Sequence, residues 1–213
     1  MNICIGVDLS MNSYGIAILT CDDNFTIIKE QFYIIKPDKL TKRETLAKET
    51  YKDFFDYILY DRLDPAQATN NHDAEFWKTL NMVSVVQKIS DITAEYINGE
   101  NNVYVLQEGI SYGSSIRTKS IFDLAGLNYL LRNAFIQNKN VIFTIATPSE
   151  IKKFTTGSGN CKKEQMVELF KITHTNFELP KLDDISDAYW MAKYAYKIMV
   201  NKHEENLNNS NVM

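Results

Sequence analysis

Two apolar runs separated by a polar loop open the chain. The first, residues 3–9, contains a single carboxylate, Asp8, near its end, and the second begins at Gly15 and continues through Leu19. Short apolar runs bounded by turn residues are typical of buried strands. A third segment, residues 25–35, is rich in β-branched and aromatic residues and ends before Pro37. We therefore predict an antiparallel three-stranded meander.

Helical spacing of apolar residues follows the meander. It extends from residue 41 to about 63, where Asp64-Pro65 ends it, and again from about 74 to 97, where Asn98-Gly99 ends it. Recurrence at intervals near 3.6 predicts two amphipathic helices. We expect them to contribute a helical insertion, about residues 60–100, before the next strand.

Two further strands and several helices are predicted in the second half. Apolar runs at 103–106 and 141–145 indicate strands, and the spacing over 120–137 indicates a helix between them. Helix starts are indicated near Pro148, Lys162 and Asp183. Residues beyond 201 are mostly Lys, Glu and Asn, so 204–213 are predicted to be a disordered tail. We predict one α/β domain, residues 1–203, with a mixed five-stranded sheet flanked by helices.

The composition limits the class of protein. The 213 residues carry a formal net charge of −4, and 45% of them are hydrophobic. An acidic chain is not expected to coat nucleic acid by bulk charge, which leaves local basic patches. No apolar run approaches the roughly 20 residues of a membrane span, and the three cysteines have no metal-like spacing. We expect a cytoplasmic protein with reduced thiols and no membrane contact.

Four carboxylates stand at positions that indicate a shared site. Asp8 and Glu108 end predicted strands, and Asp184 and Asp187 lie one turn apart on a predicted helix. Acids also occur at strand ends that face water and in first helical turns, where Asp183 has the position of a cap. A buried Asp8, however, would need a metal ion, a basic side chain or helix-terminal amides as its partner.

A fold that brought these four acids together would present oxygen donors only. Oxygen ligands without His or Cys fit Mg²⁺ or Mn²⁺ rather than zinc. Two such ions about 4 Å apart can hold a phosphodiester, one activating the attacking water and the other stabilising the leaving oxygen. The chemistry that the acids indicate is hydrolysis of nucleic acid.

Two segments carry residue types that bind nucleic acid. The Gly/Ser-rich loop at 110–119 holds one aromatic and two basic side chains: Tyr112, Arg117 and Lys119. Such a loop lets a backbone approach closely, contacts phosphates and can stack a ring on a base, although it is equally typical of a tight turn. Two lysine pairs flank a glycine turn at 157–159: Lys152, Lys153, Lys162 and Lys163. One pair alone indicates a solvated face, but two predict a phosphate-binding patch.

These segments, in this order, resemble RuvC-type Holliday junction resolvases. The resemblance covers residues 3–35, 103–170 and 182–200, and its motifs are GVD at 6–8, GIA at 15–17, Glu108, PSEIK at 148–152, GSG at 157–159, KEQ at 163–165 and DISDA at 184–188. It implies a ribonuclease H-like fold, a homodimer, and metal-dependent cleavage of two opposed strands of a four-way junction or other branched DNA. The long region before Glu108 and the loop after it indicate a divergent phage or viral branch, active in the host cytoplasm.

The resemblance also implies roles for individual residues. By motif match, two Mg²⁺ or Mn²⁺ ions are expected at Asp8, Glu108, Asp184 and Asp187, with Lys163 as a further catalytic residue. The residues expected to contact branched DNA are Lys152, Lys153, Lys162, Lys163, Arg117, Lys119 and Tyr112. Dependence on a branch-migration partner stays open.

Other functions on the same fold class stay open at this point. A ribonuclease H-like nuclease could act on RNA–DNA hybrid or on flap and branched DNA during replication, and a non-catalytic member could bind DNA only. The acidic set argues against the non-catalytic alternative, because all four positions hold carboxylates. A sugar-kinase-type ATPase would need a second phosphate loop of Asp-Gly-Gly type, which the sequence lacks.

Overall fold

The computed structural model describes residues 1–10, 13–97, 99–110 and 118–210, with only the backbone described for 118–120, 207, 209 and 210. Within this part of the chain the apolar runs form strands and the amphipathic segments form helices. The elements in chain order are β1 (Asn2–Leu9), β2 (Tyr14–Cys21), β3 (Ile27–Pro37), α1 (Lys42–Thr50), β4 (Phe55–Tyr60), a 3₁₀ turn (Pro65–Gln67), α2 (Asn71–Ile97), β5 (Asn102–Glu108), α3 (Thr118–Ile136), β6 (Val141–Ala146), α4 (Pro148–Thr156), α5 (Lys163–Thr173) and α6 (Leu182–Ser210).

The strands of the described segments form one mixed sheet in the order β4-β3-β2-β1-β5-β6. β1, β2 and β3 pair antiparallel, which confirms the predicted meander. β5 pairs parallel with β1, and β6 pairs parallel with β5. The α/β class is therefore as predicted, with one strand more than the five expected.

The additional strand, β4, corrects the helix predicted over residues 41–63. α1 ends at Thr50, and β4 pairs in parallel with β3. Phe55 and Tyr57 are each 2% exposed, whereas Asp56 between them is less buried. That alternation belongs to a strand. A short apolar run fits both the helical and the strand periodicity. Here the segment is a strand because it pairs with the free edge of β3.

The last helix, α6, corrects the predicted disordered tail over residues 204–210, and residues 211–213 lie outside the described part of the chain. It continues to Ser210, so that residues 204–210 are helical. Its side chains from Asn201 to Asn206 are exposed. Extending an existing helix costs much less free energy than nucleating one, so a polar and exposed segment can still continue it.

Helices cover both faces of the sheet, and β1 contributes to both cores. Ile3, Ile5 and Val7 pack in the core that includes α2 and α3. Cys4 packs in the core beneath α4, α5 and α6. Because successive strand residues point to opposite faces, Asp8 lies on the α6 side.

The longest helices of the described segments are amphipathic. In α2, which has 27 residues, the buried residues lie on one side of the helix: Val85, Ile89, Thr93 and Tyr96.

No helix in the part of the chain that the structure describes combines the length and the apolar character that crossing a membrane requires.

Candidate active site

Two glycines bring α6 into backbone contact with the sheet. A β-carbon on Gly6 would lie 2.0 Å from the carbonyl oxygen of Ala188, and one on Gly15 would lie 2.2 Å from that of Asp184. Any side chain at these positions would hold the helix away. Because β1 and β2 present no β-carbon there, the first two turns of α6 lie directly on the end of β1 that carries Asp8.

Asp8 and Glu108 reach the same place from adjacent parallel strands. The register of β1 and β5 places Val7 beside Gln107. Asp8 and Glu108 follow at the same level, at the carboxyl ends of their strands. Ligand sites of parallel sheets lie at the end of the sheet where the carboxyl ends of the strands meet. The side chain of Asp8 is buried, with 8% of the residue exposed.

The four predicted acids lie close enough to influence one another electrostatically. Burial raises the pKa of Asp8 well above its usual value, and the carboxylates of Asp187, Asp184 and Glu108 raise it further. The Lys163 ammonium acts in the opposite direction. Burial of several like charges is unfavourable unless a cation neutralises them.

The pKa of Glu108 is also raised, by the same two causes. Burial raises its pKa to about 7, with a further contribution from Asp187, while Lys152 and Lys163 lower it. Lys152 lines a cavity of about 200 Å³ together with Glu108, Asp187 and Lys163. The predicted Lys152 therefore lies beside the acids rather than on a remote surface.

Lys163, at the start of α5, is held between two aspartates of α6. Its Nζ lies 2.9 Å from Oδ2 of Asp187 and 3.1 Å from Oδ2 of Asp183. Burial by itself would lower the pKa of Lys163, but the two carboxylates raise it above its usual value. The ammonium is therefore charged at any physiological pH.

The structure distinguishes Asp184 from its neighbour Asp183. Asp184 is 7% exposed, and its Oδ2 accepts a hydrogen bond from the Ser13 hydroxyl. The Asp183 side chain is 47% exposed and forms a salt bridge with Lys163. Asp184 is thus the inward acid of the pair.

The remaining predicted residues divide into two groups. Lys153 and Lys162 are exposed, on α4 and at the residue before α5, near Lys152 and Lys163 in the chain. Tyr112 and Arg117 lie outside the described residues. Lys119 belongs to α3, but its side chain is not among those described.

The donor set fits a hard divalent cation in its chemistry. All four inward side chains are carboxylates, and their mutual repulsion is relieved by positive charge. Among the residues that the structure describes, no three acidic, histidine or cysteine side chains are arranged to hold an ion as they stand. Ser13 and Lys163 already engage one oxygen each of Asp184 and Asp187.

Sequence reasoning missed Ser13 and Lys181. Lys181 donates to the Ser13 hydroxyl at 2.9 Å, and Ser13 in turn contacts Asp184. Neither residue carries a local pattern, because Ser13 lies in a short polar loop and Lys181 in an irregular segment. Only the contacts across the fold identify them.

The sheet order and the helices on its two faces are those of a ribonuclease H-like α/β fold, in the form found in RuvC. Thermus thermophilus RuvC superposes with a TM-score of 0.54 over 92% of this chain and 96% of that chain, at 13% identity. The structure of the same protein in complex with a Holliday junction substrate gives 0.54 over 93% and 96%, at 11% identity. The predicted fold is confirmed.

The sequence comparison is more local. The chain is 33% identical over 89 residues to the crossover junction endodeoxyribonuclease RuvC of Pseudothermotoga lettingae. The matched segment is 41% of this chain and 52% of that protein, so about half of the relative's length is matched. No protein-family model matches the sequence. The resemblance to RuvC-type resolvases is thus supported by fold and by partial sequence similarity.

Proposed function

We propose that this protein is a structure-selective endonuclease that resolves four-way DNA junctions, and other branched DNA, by paired, metal-dependent hydrolysis of phosphodiesters. The observation that carries the proposal is the shared electrostatic site of Asp8, Glu108, Asp184 and Asp187. It lies at the sheet edge of a chain with the fold of RuvC. The Thermus thermophilus protein of that name is described with a Holliday junction substrate, which supports the choice of substrate class.

The four acids would hold two Mg²⁺ or Mn²⁺ ions. When bound, such ions supply an activated water and stabilise the leaving oxygen. The protein's own contribution is to keep four carboxylates close together at a site where Asp8 and Asp184 are buried. Their elevated pKa values mean that a cation is bound in competition with protons.

Lys163 is suited to contact a phosphate rather than to act as a base. Its ammonium stays protonated because Asp187 and Asp183 raise its pKa. A charged lysine beside the reacting group can stabilise the negative charge that develops on the phosphoryl oxygens. Lys152, which lines the same cavity, would contact an adjacent phosphate.

The exposed lysines extend this cationic surface away from the site. Lys153 is exposed on α4, and Lys162 is exposed at the residue before α5. Lysines at that distance from the chemistry neutralise backbone phosphates and orient the DNA without reading its sequence. This assigns shape rather than base sequence as the main recognition signal.

Paired cleavage requires two sites, and we propose that a homodimer supplies them. Among its described side chains, α3 exposes four large apolar ones: Phe122 at 72%, Ile136 at 62%, Tyr129 at 59% and Leu130 at 36%. An exposed apolar helix face of this kind is typical of a protein interface. Light scattering should give twice the 24.6 kDa mass of one chain, and Phe122→Ser should favour the monomer.

The decisive assay compares three labelled substrates of the same sequence: a four-way junction, a linear duplex and an RNA–DNA hybrid. With Mg²⁺, we expect symmetric paired nicks in the junction and little cleavage of the duplex or hybrid. Asp8→Asn serves as the matched inactive protein. Cleavage of the hybrid alone would favour the alternative ribonuclease H-like nuclease, and junction binding without cleavage would favour a non-catalytic binding protein.

A further inference from the structure

Ser13 joins two charged groups at the edge of the site. It is 2% exposed and immediately precedes β2. Its hydroxyl donates to Oδ2 of Asp184 and accepts a hydrogen bond from Nζ of Lys181 at 2.9 Å. The chain Lys181 to Ser13 to Asp184 therefore connects the surface to an inward carboxylate.

The direction of these hydrogen bonds follows from the number of protons. A lysine ammonium can only donate, and an ionised carboxylate can only accept. The Ser13 oxygen accepts a hydrogen bond from Lys181, so the single hydroxyl hydrogen of Ser13 is left to donate to Asp184. This arrangement requires Oδ2 of Asp184 to be an acceptor and leaves Oδ1 for a ligand.

The position of Ser13 is itself restrained. The hydroxyl of Ser10 donates to the Ser13 carbonyl and accepts from the Ser13 amide at 3.2 Å. These contacts hold Ser13 against Ser10, the residue that follows β1. The Ser13 side chain thus approaches Asp184 from a fixed direction.

Lys181 is restrained as well. Its backbone has a φ of 64°, in the left-handed region that is unusual for a residue other than glycine. Its carbonyl accepts a hydrogen bond from the Asp184 amide at 3.2 Å. Lys181 immediately precedes α6, and Asp184 lies in the first turn of that helix. Lys181 therefore contacts Asp184 through its backbone and, by way of Ser13, through its side chain.

We propose that Ser13 is a positioning residue that fixes the rotamer of Asp184 for the divalent ion, and that Lys181 orients the Ser13 hydroxyl. The inference rests on the proposed function, because it assumes that Asp184 is a metal ligand. The reason for such a device is repulsion: Asp184 shares its pocket with other carboxylates, which would otherwise turn it away. Outer-shell partners of metal ligands typically change metal affinity or activity about 10- to 100-fold.

The test measures Mn²⁺ binding by calorimetry, together with junction cleavage, in three variants. Ser13→Ala removes the donor, Ser13→Thr keeps the hydroxyl, and Lys181→Met removes the ammonium from an exposed residue without disturbing the core. Ser186→Ala is the matched control, because Ser186 is fully buried on α6 and its hydroxyl has no hydrogen-bond partner among the described residues.

We expect Ser13→Ala to weaken Mn²⁺ binding about 10-fold or more, Lys181→Met to weaken it less, and Ser13→Thr to restore most of it. Ser186→Ala should bind as wild type. Equal Mn²⁺ affinity in wild type, Ser13→Ala and Lys181→Met would overturn the inference while the proposed function stands. If Ser13→Ala does not fold, Lys181→Met decides by the same criterion. A wild-type protein that neither binds Mn²⁺ nor cleaves the junction would overturn both.

Discussion

Gly15 lies against the backbone carbonyl of Asp184 so closely that a β-carbon on the glycine would stand 2.2 Å from that oxygen. Gly15 also pairs with Asp8 across β1 and β2. One residue without a side chain therefore sets the distance between a strand acid and a helix acid. The close packing of α6 on the sheet is both a stability feature and a condition for assembling the site.

Gly15→Ala should destabilise the protein and reduce cleavage together. The methyl group would meet backbone rather than a flexible side chain, so α6 would have to shift, at a cost of about 1–3 kcal/mol or more. Urea unfolding should show a lower midpoint. Gly126→Ala is the control, because Gly126 lies within α3 and its β-carbon would make an ordinary 3.5 Å contact with Met82 Sδ on α2. That variant should be unchanged or up to about 1 kcal/mol more stable.

Asp8→Asn should abolish cleavage and leave junction binding nearly intact. The amide removes one ionic ligand without touching the lysines, so turnover should fall at least about 100-fold, beyond the loss expected for an outer-shell change. The metal-free variant should also have a higher melting temperature, because the amide relieves repulsion with Asp187, Asp184 and Glu108. Normal turnover would rule out the proposed metal site.

Neutralising lysines should change the salt dependence of DNA binding. For Lys152→Gln combined with Lys162→Gln, we expect the plot of log affinity against log salt to become less steep. Its negative slope should shrink in magnitude by about 0.9 for each phosphate that the protein no longer neutralises. Lys171→Gln is the matched control, because this exposed lysine of α5 is paired with Glu168 at 2.9 Å. A slope equal to wild type in the double variant would place the DNA surface elsewhere.

The metal-free protein should lose stability as the pH rises from about 4.5 to 7. The pKa of Glu108 is about 7 when folded, against its usual 4.5, so its contribution is full below 4.5 and is lost as the carboxyl ionises. The 2.5-unit difference corresponds to at most about 3 kcal/mol. Denaturant titrations across this range should show the decline in wild type.

Two comparisons isolate the contribution of Glu108. Glu108→Gln should reduce the pH dependence, whereas Glu49→Gln, at an exposed position of α1, should not. Mg²⁺ should stabilise wild type more at pH 8 than at pH 5, because the cation competes with protons for the carboxylates. A wild-type profile that is flat between pH 4.5 and 7 would contradict the buried state of Glu108.

Local pattern was sufficient to predict the meander and the places of the acids. The apolar runs around Asp8 and Glu108 indicate strands that end in a carboxylate, and the spacing of Asp184 and Asp187 places both on one side of a helix. Each of these signals extends over a few neighbouring residues. Whether the acids meet depends on the fold. The family resemblance implied that fold, and the structure confirms it.

Local pattern failed where the deciding partner is distant in the chain. Residues 55–60 fit both a helix and a strand, and only the free edge of β3 made them a strand. The role of Ser13 could not be predicted from its neighbours in the sequence, because its partners Asp184 and Lys181 are 171 and 168 residues away. Side-chain chemistry and short-range periodicity are properties of the sequence by itself. The contact of Gly15 with the α6 backbone, the hydrogen bonds of Ser13 and the pairing of β4 depend on distances between remote segments, which only the packed tertiary structure determines.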